Sequence, residues 1–267
     1  MREYCSRVTS LLFLGVGSIA QAVRAARPSV PASGTTRSTP DQRFERIAPI
    51  AANDSTAIRE AAHDAHVVVS FPPDGHTDRE LAPLVAGAAG IVYLSSTAVY
   101  PQTAGIVSEH TPVTNEGARA LARLAAEAVW LEAGASVVRL PAFYGPTTGL
   151  HLSLTRGTFR MPGPGTNIVS RVHVVDAARF VCAALAAPAR SLLLAGDDEP
   201  APVADVVAFV CALFGLPLPP SSEGADIPLS LRGSRSIDNR VTRANHRVEL
   251  AFPTYREGYR AIRLAAA

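Results

Sequence analysis

The chain has no lysine: all 25 of the Lys and Arg residues among its 267 positions are arginine. This removes the amine of a Schiff base and the ammonium that burial can turn into a base, since guanidinium stays protonated in proteins. Charge of either sign is sparse. Charged residues make up 18% and the net charge is +2, with the arginines scattered, so there is no basic stripe of the kind that reads nucleic acid. Cysteine is scarce too. Cys5, Cys182 and Cys211 are odd in number and far apart, which fits neither a disulfide framework nor a metal site and is what a protein of the reducing cytoplasm would carry. Although 48% of residues are hydrophobic, no apolar run approaches the ~20 residues of a membrane span, so no membrane partner is expected. A serine-hydrolase elbow, an HExxH helix and a phosphate-binding P-loop are all missing, which leaves hydrolase and kinase chemistry without support.

What is present begins at Leu11 with LLFLGVGSIAQAV. After Arg2 and Arg7, this stretch reads as a short secretion signal with Ala20-Gln21-Ala22 as its cleavage site. It also reads as a strand, a tight turn and a helix start, with Gly15, Gly17 and Ala20 in a GxGxxA pattern. Context favours the second reading. Two glycines would weaken a signal helix, while an apolar strand followed at once by this turn suits a dinucleotide: Gly15 for the turn, Gly17 for close approach of backbone to a pyrophosphate, Ala20 for helix packing on the strand. The helix beginning at Ser18 would offer N–H groups and a positive dipole end to the phosphates. The segment is therefore expected to be retained.

Downstream, β-branched runs alternate with alanine-rich helical stretches, the pattern of a parallel sheet covered on both faces. Helices are expected at Ser18 to Arg27, Ser55 to Ala62, Asp78 to Ala86 and Glu116 to Glu132. Strands are expected at Val30 to Thr36, His66 to Phe71, Ile91 to Ser95 and Ala135 to Leu140. With the opening strand these make five βα units of an α/β, doubly wound Rossmann-type fold. Near residue 146 the pattern breaks into the Gly/Pro-rich TRGTFRMPGPGTN and resumes at Arg171 to Val174 with a helix to Leu185. The expected division is a dinucleotide-binding domain of residues 8–146 plus 168–190 and a small substrate lobe of residues 147–167 plus 191–267. The strand at Ser191 to Leu194 falls in that lobe, with helices at Val203 to Phe214 and from Tyr255.

About twenty residues beyond the glycine turn, an NAD site usually places a carboxylate on the ribose 2′-hydroxyl. Here the region reads GTTRS, with no acid before Asp41. Thr36, Arg37 and Ser38 suit a 2′-phosphate, so NADP(H) is expected over NAD(H).

Four further stretches, LSSTAVYP from Leu94, RLPAFYGP from Arg139, RVHVVDAA from Arg171 and FPTYREG from Phe252, complete a resemblance. In this order the chain resembles the extended and atypical short-chain dehydrogenases/reductases, the group often labelled NAD-dependent epimerase/dehydratase. The resemblance implies that Ser96 presents its hydroxyl to substrate as the catalytic serine. It implies that Ser95 and Pro141 lie against the nicotinamide with Tyr144 walling its pocket, and that Ser18, Ile19, Phe71 and Pro72 line the rest of the cofactor site. His173 and Asp176 read as structural ties between the lobes, and nothing suggests a metal.

The family pattern fails at its acid/base pair, a tyrosine and a lysine four residues apart. Aligned through Glu127, these positions hold Arg119 and Arg123. Neither can shuttle a proton, although Arg123 can still grip the ribose, and both also fit an i, i+4 ladder with Glu127 on an exposed helix face. Two readings stay open. One is an NADP-dependent reductase or epimerase acting as monomer or homodimer on a small carbonyl, alcohol or sugar-type substrate, with Tyr100, Tyr144 or His110 moving the proton. The other is a non-catalytic NADP(H)-binding regulatory or sensor protein.

Overall fold

The structure is a computed structural model that describes residues 10–102, 105–114, 116–222 and 233–266. Cys5, Arg2 and Arg7 lie outside the described residues. Along the first half run β1 (Ser10–Leu14), α1 (Ser18–Ala26), β2 (Ala32–Thr36), β3 (Ala48–Ala51), α2 (Ser55–Ala62), β4 (Ala65–Val69), α3 (Thr77–Leu81) and β5 (Gly90–Ser96). There follow β6 (Gly105–Val107), α4 (Ala118–Glu132), β7 (Ser136–Leu140), β8 (Ala142–Tyr144), α5 (Leu150–Thr155), β9 (Met161–Pro162), β10 (Ile168–Val169) and β11 (Arg171–His173). The rest comprises α6 (Val174–Ala186), β12 (Leu192–Leu194), β13 (Ala201–Pro202), α7 (Val203–Phe214), β14 (Ser221–Ser222), β15 (Arg235–Ile237), α8 (Arg240–His246) and α9 (Tyr255–Ala265).

Seven strands form one sheet in the order β12-β7-β5-β4-β1-β2-β3, and every pairing in it is parallel. This is the doubly wound α/β arrangement expected from the alternating pattern. Because side chains alternate along a strand, β1 feeds both faces: Leu11 and Phe13 pack with Val23, Phe180 and Val181 beneath α1 and α6, while Leu12 and Leu14 pack with Ile58 and Trp130 beneath α2 and α4. All four β1 leucine and phenylalanine side chains are fully buried, which is why the strand reads as an unbroken apolar run. The order of connections reverses between β1 and β4, and in such sheets ligands bind at that point, outside the carboxyl ends of the strands.

Three expectations need correction. Leu192–Leu194 does not belong to the small lobe but pairs with β7 and ends the main sheet, where Leu193 and Leu194 are fully buried. The edge strand β3 was not expected, because Ala48-Pro49-Ile50-Ala51 is short and mostly exposed; Pro49 is tolerated there because an edge needs no further N–H donor. The helix expected to run to Ala86 leaves α-helical geometry at Ala82 and finishes as a 3₁₀ turn to Val85, since Pro83 lacks the N–H that would continue it.

Beside the sheet, RLPAFYGP and RVHVVDAA prove to be one structural unit. Their strands β8 and β11 pair in parallel, with Arg171 opposite Ala142 and His173 opposite Tyr144. The Asp176 carboxylate on α6 accepts the N–H groups of Ala251 (2.6 Å) and Phe252 (3.0 Å), so it ties the chain leading into α9 to the sheet. Helices α5, α7 and α9 close around Leu154, Val206, Val210, Tyr255 and Tyr259. Among the described residues no helix is long and apolar enough to cross a membrane.

Candidate functional site

The stretch that opened two readings folds as strand, turn and helix. Gly15 takes φ +91°, a conformation that L side chains rarely adopt. Its N–H donates to Thr35 Oγ1 (2.9 Å) and its carbonyl accepts from Ser70 Oγ (2.7 Å), so hydroxyls at the ends of both neighbouring strands hold the turn. Ser70 was not singled out from the sequence, and Thr35 was read there only as one of the hydroxyls flanking Arg37. The signal for them was present, a small hydroxyl at the carboxyl end of each strand flanking β1. A Cβ placed on Gly17 would meet nothing within 4 Å, and Gly17 caps α1 with no side-chain hydrogen bond. The first turn of α1 therefore faces open space with its N–H groups uncapped, the requirement for a pyrophosphate.

That open space is a crevice of about 1040 Å³ at the carboxyl ends of the strands. Gly17, Ser18 and Ile19 line it after β1, Phe71 and Pro72 after β4, Ser95 and Ser96 at the end of β5, Pro141 after β7, and Arg119 and Arg123 on α4. Sequence positions far apart thus converge on one wall. The Ser96 hydroxyl accepts the N–H of Ala98 (3.2 Å) and caps a 3₁₀ turn, so it serves the backbone as well as facing the crevice.

Beneath the serines runs a chain of buried polar groups. Ser95 Oγ donates to Glu127 Oε1; Arg139 holds the same carboxylate through Nε (3.0 Å) and Nη2 (2.7 Å) and donates through Nη1 to the Tyr100 hydroxyl (2.9 Å). Glu127 is 3% exposed, which overturns its place in an exposed ladder: α4 turns this face toward the sheet. Arg123, half-buried, donates to Tyr93 OH (2.9 Å) and to the Leu94 carbonyl (3.2 Å). Burial pushes the Tyr93 phenol up to about 12 and raises that of Tyr100, so both keep their protons. Arg119 is exposed and makes no hydrogen bond or ion pair among the described residues. Arg235 of β15, missed in the sequence, also lines the crevice and donates to the carbonyls of Thr97 (3.1 Å) and Tyr100 (3.0 Å).

Some expected residues stand apart. Tyr144 does not line the crevice. It is 1% exposed, stacks on Tyr259 with ring centroids 4.4 Å apart and meets His173 edge-on at 5.2 Å, and burial raises its phenol far above the usual range. The β8–β11 pairing turns it inward and rules it out as a proton carrier at the crevice. Thr36 ends β2, Arg37 and Ser38 follow it, and all three lie outside the crevice lining. Thr36 Oγ1 donates to the Ser38 carbonyl (2.8 Å) and Arg37 is exposed. His110 is exposed and lies outside the lining as well. Among the described residues no group of three His, Cys, Asp or Glu is placed to hold a metal.

No family model matches the chain. A functionally unknown conserved protein from Silicibacter pomeroyi is 30% identical, with 97% of this chain covering 99% of that one at a TM-score of 0.81. A 3-diazoavenalumate denitrifying reductase from a Streptomyces species is 27% identical over 269 residues, 90% of this chain and 82% of that protein. The dTDP-glucose 4,6-dehydratase of Bacillus anthracis, solved in complex with NAD, is 16% identical with a TM-score of 0.79, and 96% of each chain is covered.

Proposed function

We propose that the chain, which shares the fold of a dTDP-glucose 4,6-dehydratase solved with NAD and is 27% identical to a reductase, is an extended short-chain dehydrogenase/reductase working as an NADP(H)-dependent reductase. The observation that carries this is Gly17, open to the crevice ahead of an uncapped helix N-terminus and in line with Ser95, Ser96 and Pro141. Gly15, Gly17, Ser18 and Ile19 would hold the pyrophosphate, and Arg37 with Thr36 and Ser38 the 2′-phosphate. Phe71, Pro72, Ser95, Pro141 and Arg123 would line the nicotinamide half. When bound there, the dinucleotide supplies hydride. The nucleotide-holding part is then residues 8–146 plus 168–190 together with β12, and the rest is the substrate lobe.

The direction of reaction follows from the charges on the wall. Oxidation of an alcohol or epimerisation needs a group that rests deprotonated to take a proton; the guanidinium groups at Arg119 and Arg123 cannot take one, and burial keeps the Tyr100 phenol in its protonated form. Reduction asks the opposite of the site: stabilise the negative charge that gathers on the acceptor atom, then protonate it. Ser96 and Arg119 can donate hydrogen bonds to that atom. Tyr100, whose oxygen accepts from Arg139 and whose own proton is held by burial, is the proton donor. The name of the Streptomyces relative, a reductase, supports the same direction.

The test is direct. Purified protein should bind NADPH, and Gly17→Leu should abolish binding while leaving the melting temperature within a few degrees, because the added side chain occupies the crevice and not the core. With a panel of carbonyl compounds, NADPH should be consumed, and Tyr100→Phe should lower kcat with little change in NADPH affinity. Unaltered NADPH affinity in Gly17→Leu defeats the cofactor site, and tight NADPH binding with no turnover across the panel leaves the sensor reading standing.

A further inference from the structure

A second, smaller cavity of about 150 Å³ opens beside the crevice, and Ala142, Phe143 and Val169 line both. Its remaining wall includes Arg171, Tyr144, Phe159, Tyr259 and Ser153. Whole-ligand pockets usually measure ~300–1,000 Å³. A cavity of half that or less, continuous with a larger one, takes one end of a molecule whose remainder lies in the crevice.

Arg171 decides what that end is. It is 6% exposed, and among the described residues its guanidinium makes one hydrogen bond, from Nη1 to the Val169 carbonyl (2.8 Å). No carboxylate of the described residues stands within ion-pair distance of it. The Asp197 carboxylate couples to its charge but makes no ion pair with it, so it leaves the guanidinium's N–H fork toward the cavity unoccupied. A buried guanidinium is costly unless an anion balances it, and its planar fork of N–H donors matches a carboxylate. Around it stand the rings of Tyr144, Phe159 and Tyr259, and the Tyr259 phenol, pushed up to about 12 by burial, stays neutral. One cation among neutral aromatic faces is a receptor for a flat group ending in a carboxylate.

Building on the reductase reading, we propose that the substrate is an aromatic or unsaturated carboxylic acid, with its carboxylate on Arg171 in the smaller cavity and its reducible group in the crevice beside Ser96. Arg171 thereby sets substrate class and takes no part in moving hydride or proton.

Isothermal titration of the full-length protein with benzoate and with benzamide, each with and without saturating NADPH, tests this. Benzoate should bind at least tenfold more tightly than the neutral amide. Arg171→Gln should erase that preference while NADPH affinity stays within twofold of wild type. Ser153→Phe, which fills the cavity from its other wall, should weaken benzoate at least tenfold with NADPH binding unchanged; it decides the matter if Arg171→Gln fails to fold. Equal affinity for acid and amide, a preference that survives Arg171→Gln, or unchanged benzoate binding in Ser153→Phe overturns the proposal. Titrations without NADPH keep the acid pocket and the cofactor site distinguishable: failure of NADPH to bind defeats the dinucleotide reading, whereas loss of the acid preference defeats the pocket.

Discussion

Arg37 stands exposed at the end of β2, the strand beside β1 and its glycine turn. A charge-assisted hydrogen bond contributes roughly 1.5–3 kcal/mol, so if this guanidinium holds the 2′-phosphate, Arg37→Ala should weaken NADPH by at least about tenfold and leave NADH nearly unchanged. Equal losses for both cofactors would instead place the arginine on the shared pyrophosphate. Single residues differed sharply in how far they could be read ahead of the structure. Gly15 and Gly17 were legible because their roles depend on backbone geometry, which sequence encodes locally. Tyr144 was not, since the direction of its ring is set by β11, which lies nearly thirty residues away along the chain. Arg171 passed unnoticed because its significance lies in lining a cavity with no carboxylate in ion-pair contact, a property of surroundings that no spacing reveals.

At the scale of elements, α4 is bolted to the sheet by Glu127, which receives Ser95 from β5 and Arg139 from β7. Removing one partner of a buried ion pair leaves the other charge stranded, at a cost of about 3–5 kcal/mol. Glu127→Gln should lower the urea midpoint accordingly, and the double variant Glu127→Met with Arg139→Leu should recover much of the loss; if the single variant is as stable as wild type, the network is not holding the helix. The elements also explain why FPTYREG is the least distinctive of the four stretches. Thr254 caps α9 in a capping box with Glu257, and Gly258 sits where a Cβ would come within 2.8 Å of Tyr144 Cζ. Thr and Glu three apart are common, so the stretch is specific only through that close approach. Helices with a clear apolar face were legible to within a few residues. The two-residue strands β9, β10, β13 and β14 were not, since segments that short have no period and exist only where a partner edge is offered.

For the molecule as a whole, pH reports how tightly the parts are joined. His173 caps α6 by accepting the Val175 N–H (3.2 Å), packs against Phe252 and Tyr144, and burial lowers its pKa to about 4. In the unfolded chain it would titrate near 6.5, so between those values the unfolded state binds more protons and stability falls as pH falls. The stabilisation is full above pH 6.5 and lost toward pH 4, a span of 2.5 units or about 3 kcal/mol. His173→Asn keeps a capping acceptor but does not titrate there. The stability difference between wild type and this variant should therefore shrink by about that amount as denaturation is repeated from pH 7 down to pH 4; a difference that stays constant would mean that the imidazole is protonated at no cost, with the junction open.

The sequence by itself determined the α/β sheet, the turn at Gly15 and Gly17 and the absence of any lysine, because periodicity, glycine geometry and residue identity are local. Tertiary structure alone decided that β12 ends the main sheet, that Glu127 is buried under Ser95, that Tyr144 leaves the crevice and that Arg171 lines a cavity beside it with no carboxylate in ion-pair contact. Each of those depends on which segments lie against one another, and burial sets the energy of a charge or a phenol only once those neighbours are in place.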